Sequence, residues 1–205
     1  MKQLVFTALI CIALSACAPK SQGNYACGFD LDGFNERISL KGHYPLVFKL
    51  HESVPPEFRT AIQADMTEWN NKTGLDLFEL SPDVETGPLI PIQDAKNIIY
   101  FQSSNWSKTS DTTAYTTRTY NGDMIQEVDI IFNLQDYQFA TLDKMDAVHM
   151  NLESVLLHEL GHSLGLGHVD DANSLMYPHL YPGQIKTTID KSTLKNLSCE
   201  YAVKE

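Results

Sequence analysis

The stretch His158-Glu-Leu-Gly-His162-Ser-Leu-Gly165-Leu-Gly-His168 constrains this chain more than any other part of it. Read as a helix over its first five residues, it stacks His158 and His162 on one face, about 6 Å apart along the axis at 1.5 Å per residue. Two imidazoles so placed reach one metal ion. Glu159 sits one step round from the first ligand, where it touches a water on the ion rather than the ion itself. That is the general-base position of HExxH hydrolases. The preceding Asn151-Leu-Glu-Ser-Val-Leu-Leu157 supports the helix. Asn151 suits the N-cap, Glu153 the positive first turn, and Leu152, Val155, Leu156 and Leu160 make an apolar stripe.

The rest of the motif has to leave the helix, because six further residues at 100° each would turn His168 roughly 600° and aim it away from His162. Gly165 suits the left-handed conformation that ends a helix, and Gly167 adds freedom before the third histidine. Three neutral imidazoles and a water make a four-coordinate zinc with an open position, the arrangement of one catalytic ion rather than a structural one. Gly161 in mid-helix costs about 1 kcal/mol relative to Ala. Together with Gly165 it leaves one side of the helix bare, which predicts close backbone packing there.

The five fixed positions His158, Glu159, His162, Gly165 and His168 resemble the metzincin pattern. Downstream, Ser174-Leu-Met176-Tyr-Pro178 looks like the Met-turn beneath the metal in that clan. The step from His168 to Met176 and the wording Leu-Met-Tyr-Pro most closely resemble the matrixins, the matrix metalloproteinase family. The resemblance implies a zinc-dependent endopeptidase of α+β, zincin-like fold. Its parts would be a mixed five-stranded twisted sheet, a long N-terminal helix, an active-site helix and a C-terminal helix, with Met176 and Gly165 as structural residues under the metal. Tyr177 follows Met176 directly, unlike the tyrosine two residues past the methionine in astacins and serralysins, so it receives no metal role.

The remaining elements follow from pattern. Pro45 to Leu50 reads as a strand. Pro56 opens a helix running to about Asn71, with Phe58, Ile62, Met66 and Trp69 as a core stripe and Gly74 as its stop. Leu75 to Leu80 alternates as a second strand, and residues 81–96, with three prolines, read as a surface loop. Asn97-Ile-Ile-Tyr-Phe-Gln102 reads as a third strand, and its continuous apolar run predicts a central place in a sheet covered on both faces. Thr113 to Thr119 is β-prone but nearly free of aliphatic residues, hence an edge. Asn121-Gly122 marks a hairpin turn, and Ile125 to Phe132 returns antiparallel to that edge. A C-terminal helix spans about Ile189 to Leu197, with Thr187 and Asp190 in capping-box spacing.

An exposed edge strand can align an extended peptide by main-chain hydrogen bonds. The matrixin resemblance puts Thr113 to Arg118 on the upper rim of a substrate cleft, with Thr113, Ala114, Tyr115 and Thr116 as substrate-binding candidates. On the opposite rim Pro178-His-Leu-Tyr-Pro182 would wall the pocket for the residue following the cleaved bond, with Pro178, Leu180 and Tyr181 as further substrate-binding candidates. His43, His51, His149 and His179 lack ligand spacing. The stretch Ser103 to Thr112, where matrixins carry a second, structural zinc, contains no histidine, and no loop has the ligand count for calcium. Neither site is expected.

The first residues read as a targeting segment. One positive charge precedes the apolar run Leu4 to Leu14, which is too short to span a bilayer. Leu14-Ser15-Ala16-Cys17 resembles the lipobox of bacterial lipoproteins, with residues 1–16 removed and Cys17 lipidated. An ordinary secretory cut near Ala16 or Ala18 is the alternative. Ala18 after the cysteine suggests, by the same resemblance, a lipid-anchored protein of the bacterial cell envelope, at the outer membrane. Residues 17–43 form a tether and irregular N-terminal arm, and residues 44–205 the catalytic domain.

Cys27 and Cys199 remain, and in an oxidising envelope they most simply form one disulfide between the arm and the C-terminal helix. Cys27-Gly28 also resembles the cysteine switch of matrixin propeptides, without the Pro-Arg before or the Val-Pro-Asp after it. The net charge of −11 argues against nucleic acid. The expected partners are a protein or peptide substrate and, through the lipid, a membrane, with the chain a monomer. Two other functions compete with the protease: a catalytically silent zinc-binding module, and an amidase on peptidoglycan stem peptides.

Overall fold

Strands β1 (Leu46–His51), β2 (Phe78–Glu85), β3 (Asn97–Gln102), β4 (Ala114–Asn121) and β5 (Met124–Asn133) make one sheet in the order β2-β1-β3-β5-β4. All neighbours are parallel except β4, which runs antiparallel to β5 at the edge. Helices α1 (Arg59–Thr73), α2 (Leu152–Ser163) and α3 (Lys191–Leu197) complete the α+β fold expected from the sequence. This structure is a computed structural model and describes residues 26–204. Among them no helix is long and apolar enough to cross a membrane. Cys17 and the targeting segment lie outside the described residues.

Helix α1 follows a short 3-10 turn at Pro56–Phe58 and ends where Gly74 takes φ 67. Its stripe of Phe58, Ile62, Met66 and Trp69 is buried. The Trp69 indole donates to the Leu157 carbonyl at 3.2 Å, fixing α1 against the helix that carries the histidines. Strands β3 and β5 bury both faces, as apolar runs do. Ile99, Phe101, Ile130 and Phe132 join the main core, and Ile98, Tyr100 and Ile131 pack with Trp106 and Tyr115 on the other side.

Three local expectations shift. Strand β2 starts at Phe78, not Leu75, and runs through Pro82 into the segment read as loop. It is an edge strand, where a proline need not break a ladder bond. The chain reaches it through Asn70, whose Oδ1 accepts from the Leu77 and Phe78 N–H groups. In the hairpin, Asn121 still pairs with Met124, and the two loop residues are Gly122, at φ 61, and Asp123. The cap of α3 is Asp190 with Thr193 as its partner, rather than Thr187 with Asp190.

The N-terminal arm is irregular, as expected, and its packing is what the sequence left unread. Residues 26–43 pack into the domain: Phe29, Ile38 and Leu40 are buried, and Ser39 bridges to Met124 at the start of β5. Left-handed turns at Cys27, Asn35 and Lys41 interrupt the arm, so its apolar residues follow no period. A disulfide joins Cys27 to Cys199, just beyond α3, across 172 residues. Cys27 is therefore not a thiolate facing the histidines.

Candidate active site

Helix α2 begins where Asn151 Oδ1 accepts the Ser154 N–H at 2.9 Å, the cap that its sequence predicts. Twelve residues later it stops at Ser163, and Gly165 takes φ 100. A Cβ there would strike the Ile38 carbonyl oxygen, so this is the close backbone packing expected of the bare side. Gly161 differs: a Cβ on it would meet the Met176 sulfur, a side chain rather than backbone.

Beyond Gly165 the chain doubles back and brings His168 to His158 and His162. The three Nε2 atoms lie 3.0, 3.1 and 3.2 Å from one another. His158 Nδ1–H donates to the Leu175 carbonyl at 2.8 Å, and His162 Nδ1–H to the Leu166 carbonyl at 2.7 Å. With their protons on Nδ1, both rings present Nε2 lone pairs to a common point, where only a cation relieves their repulsion. Burial is the main cause that lowers all three imidazole pKa values, His158 to about 4, so the rings are neutral near pH 7. Ligands about 2.0 Å from a tetrahedral zinc are about 3.3 Å apart, close to these spacings. The residues fit the ion.

Glu159 is buried beside this cluster. Burial raises its pKa to about 7, against the Thr116 hydrogen bond and the Arg118 charge, which both lower it. The Thr116 hydroxyl donates to Glu159 Oε2 at 2.6 Å. Register explains the contact: alternation along β4 directs Ala114, Thr116 and Arg118 toward α2 and sends Tyr115 to the opposite face, 5.3 Å from Trp106 between ring centroids. Arg118 donates to the His162 carbonyl at 3.0 Å and pairs with Asp30 at 2.5 Å.

Met176 and Leu175 are buried, and the Met176 sulfur lies against Gly161 of α2. Asp190 holds this turn, accepting the Leu175 N–H at 2.7 Å and the Ser174 hydroxyl at 3.2 Å. Lys186 Nζ donates to the carbonyls of Ala172 and Ser174 at 2.8 and 3.0 Å.

A cleft of about 530 Å³ opens in front of His158, Glu159 and His168. Thr113 and Ala114 line one side, and Pro178, Leu180 and Tyr181 the other. Of the proposed substrate residues, Tyr115 and Thr116 do not line it: the first packs on Trp106 and the second serves Glu159. Sequence reasoning missed Ser154, Tyr137 and Lys186, which also line the cleft and carry no local pattern. His179, like the rest of the segment from Pro178 to Pro182, lines the wall, and so does Tyr177, set aside as a metal ligand, its ring centroid 5.4 Å from that of His179. For Tyr177, its closeness to Pro178 was the available signal. His51 is tied to Ser53, and His149 to Asp146.

Residues 44–201 match the matrixin family of peptidases. Metalloendoproteinase 1 of Glycine max is 38% identical over 53 residues, 26% of this chain and 17% of the relative. Metalloendoproteinase 4-MMP of Arabidopsis thaliana is 36% identical over 59 residues, 29% of this chain and 17% of the relative. Interstitial collagenase of Sus scrofa is 51% identical over 41 residues, 20% of this chain and 9% of the relative. The chain thus matches less than a fifth of the length of each of these relatives.

Proposed function

Because this chain belongs to the matrixin family, we propose that it is a zinc-dependent endopeptidase with His158, His162 and His168 as metal ligands and Glu159 as general base. The observation that carries this reading is the convergence of three Nε2 lone pairs beside a buried carboxylate at the mouth of a cleft. Zinc held by the three imidazoles would polarise the scissile carbonyl and acidify the attacking water. Glu159 takes the proton of that water and gives it to the leaving amine, so the carboxylate ends the cycle as it began. Edge strand β4 aligns the peptide through its free main-chain groups, and the segment from Pro178 to Tyr181 encloses a side chain near the cleaved bond. An intact base and ligand set disfavour a silent binding module.

The test is Glu159→Ala, assayed on a quenched peptide library with metal content measured in parallel. Bound zinc at one equivalent with no cleavage is the expected result; cleavage at the wild-type rate refutes the assignment. The same proposal includes lipid on Cys17 and a place in the cell envelope, supported by the Leu14-Ser15-Ala16-Cys17 wording alone. Labelling with a fatty-acid analogue, lost in Cys17→Ser, checks it.

A further inference from the structure

We infer that Thr116 is a positioning residue for the general base: its hydroxyl holds Glu159 Oε2 so that Oε1 alone is turned to the reacting water. This rests on the reading of Glu159 given above. Two Glu159 acceptors surround the hydroxyl, Oε2 at 2.6 Å and the main-chain carbonyl at 3.2 Å. A hydroxyl has one proton, and the shorter, charge-assisted bond takes it. That leaves the carboxylate with one restrained and one free oxygen.

The restraint comes from outside the helix. Thr116 sits on β4, opposite Ile130 of β5, and its place is fixed by a strand ladder rather than by α2. The same strand carries Ala114 on the rim of the cleft and, as proposed above, receives the substrate main chain. One rigid element therefore sets both the peptide and the rotamer of the base. Displacements of about 1 Å in such a constellation cost on the order of 100-fold in rate.

The test compares Thr116→Val, which keeps the shape and removes the hydroxyl, with Thr116→Ser, which restores it. The Val variant should lose about tenfold or more in kcat with KM within about twofold and zinc content unchanged. The Ser variant should recover to within about threefold, and a crystal structure of the zinc-loaded Val variant should show the Glu159 carboxylate rotated. If Val disturbs folding, Thr116→Ala supplies the same comparison. Retention of kcat by the Val variant, failure of Ser to rescue, or a loss confined to KM overturns the inference. Glu159→Gln separates the two claims. If that variant cleaves normally, the base assignment itself falls; if it is inactive while Thr116→Val is fully active, only the role of Thr116 falls.

Discussion

Asp190 Oδ2 accepts the Leu175 N–H at 2.7 Å, and the carbonyl of that same leucine accepts Nδ1–H of His158 at 2.8 Å. One residue thus joins the cap of α3 to the first proposed metal ligand. Burial works against the Asp190 charge, but the bonds from Ser192, Leu175 and Thr193 outweigh it and hold the carboxyl well below the usual range. A depressed folded pKa means that this stability is complete above the unfolded value, about 4, and is lost as pH falls further.

Asp190→Ala should therefore destabilise the domain at neutral pH by about 1 to 3 kcal/mol, since it strips a cap and leaves buried donors unpaired. The deficit should shrink below about pH 4. Urea unfolding of both proteins between pH 3 and 7 checks this. A deficit that does not vary with pH would show that the charge is not the stabilising element.

Arg118 and Asp30 support the second half of the metal motif. The guanidinium bridges the Asp30 carboxylate and the His162 carbonyl, and Asp30 N–H donates to the Gly165 carbonyl at 3.0 Å. Asp30→Ala should speed zinc loss to a chelator by up to about tenfold, an outer-shell effect. With zinc in excess, the cleavage rate should change little. Stopped-flow transfer of zinc to a chromophoric chelator measures the difference, and an unchanged off-rate would remove Asp30 from the support of the site.

What the sequence disclosed, and what it did not, divides along the range of the interactions. The His158/His162 pair, the α1 stripe and the Asn151 cap depend on spacing within one turn or one element, so His158, Trp69 and Asn151 were legible directly. Strand type was legible for β3 because burial on both faces forces a continuous apolar run. Partners drawn from distant parts of the chain were not. Asp30 has no local pattern, Thr116 reads only as a rim residue and Asp190 only as a cap, until the fold brings them to Arg118, Glu159 and Leu175. The arm is irregular, as its lack of period implies, and its burial was not legible for a related reason: Phe29, Ile38 and Leu40 reach the core through irregular turns, and periodicity carries no information about such a path.

The disulfide should matter for the arm more than for the sheet. Closing a loop of 172 residues stabilises the fold by about 5 kcal/mol if the whole effect is lost chain entropy, and by less if reduction frees only the arm. Cys27→Ser with Cys199→Ser should lower the melting temperature and raise hydrogen exchange over residues 26–43. It should also speed zinc loss, because Asp30 and the Gly28 carbonyl, which accepts Gly167 N–H at 2.7 Å, belong to that arm. Exchange mass spectrometry of the two proteins reads this out; equal protection of the arm would show that packing alone keeps it in place.

Asp65 of α1 is buried, and its Oδ2 has no hydrogen-bond partner. Burial, then the charges of Glu153 and Glu68, push its pKa up to about 9. The folded chain consequently keeps a proton that the unfolded chain loses near pH 4, and stability falls as pH rises between these values, by up to about 1.4 kcal/mol per unit. Asp65→Asn removes this slope without changing the shape of the side chain. Its unfolding free energy should match that of the wild type near pH 4 and exceed it by about 2 kcal/mol or more at pH 8. Chemical denaturation at fixed zinc across that range decides the matter, because the histidines contribute equally to both proteins and cancel. A constant difference at every pH would mean that Asp65 ionises in the fold as readily as in the unfolded chain.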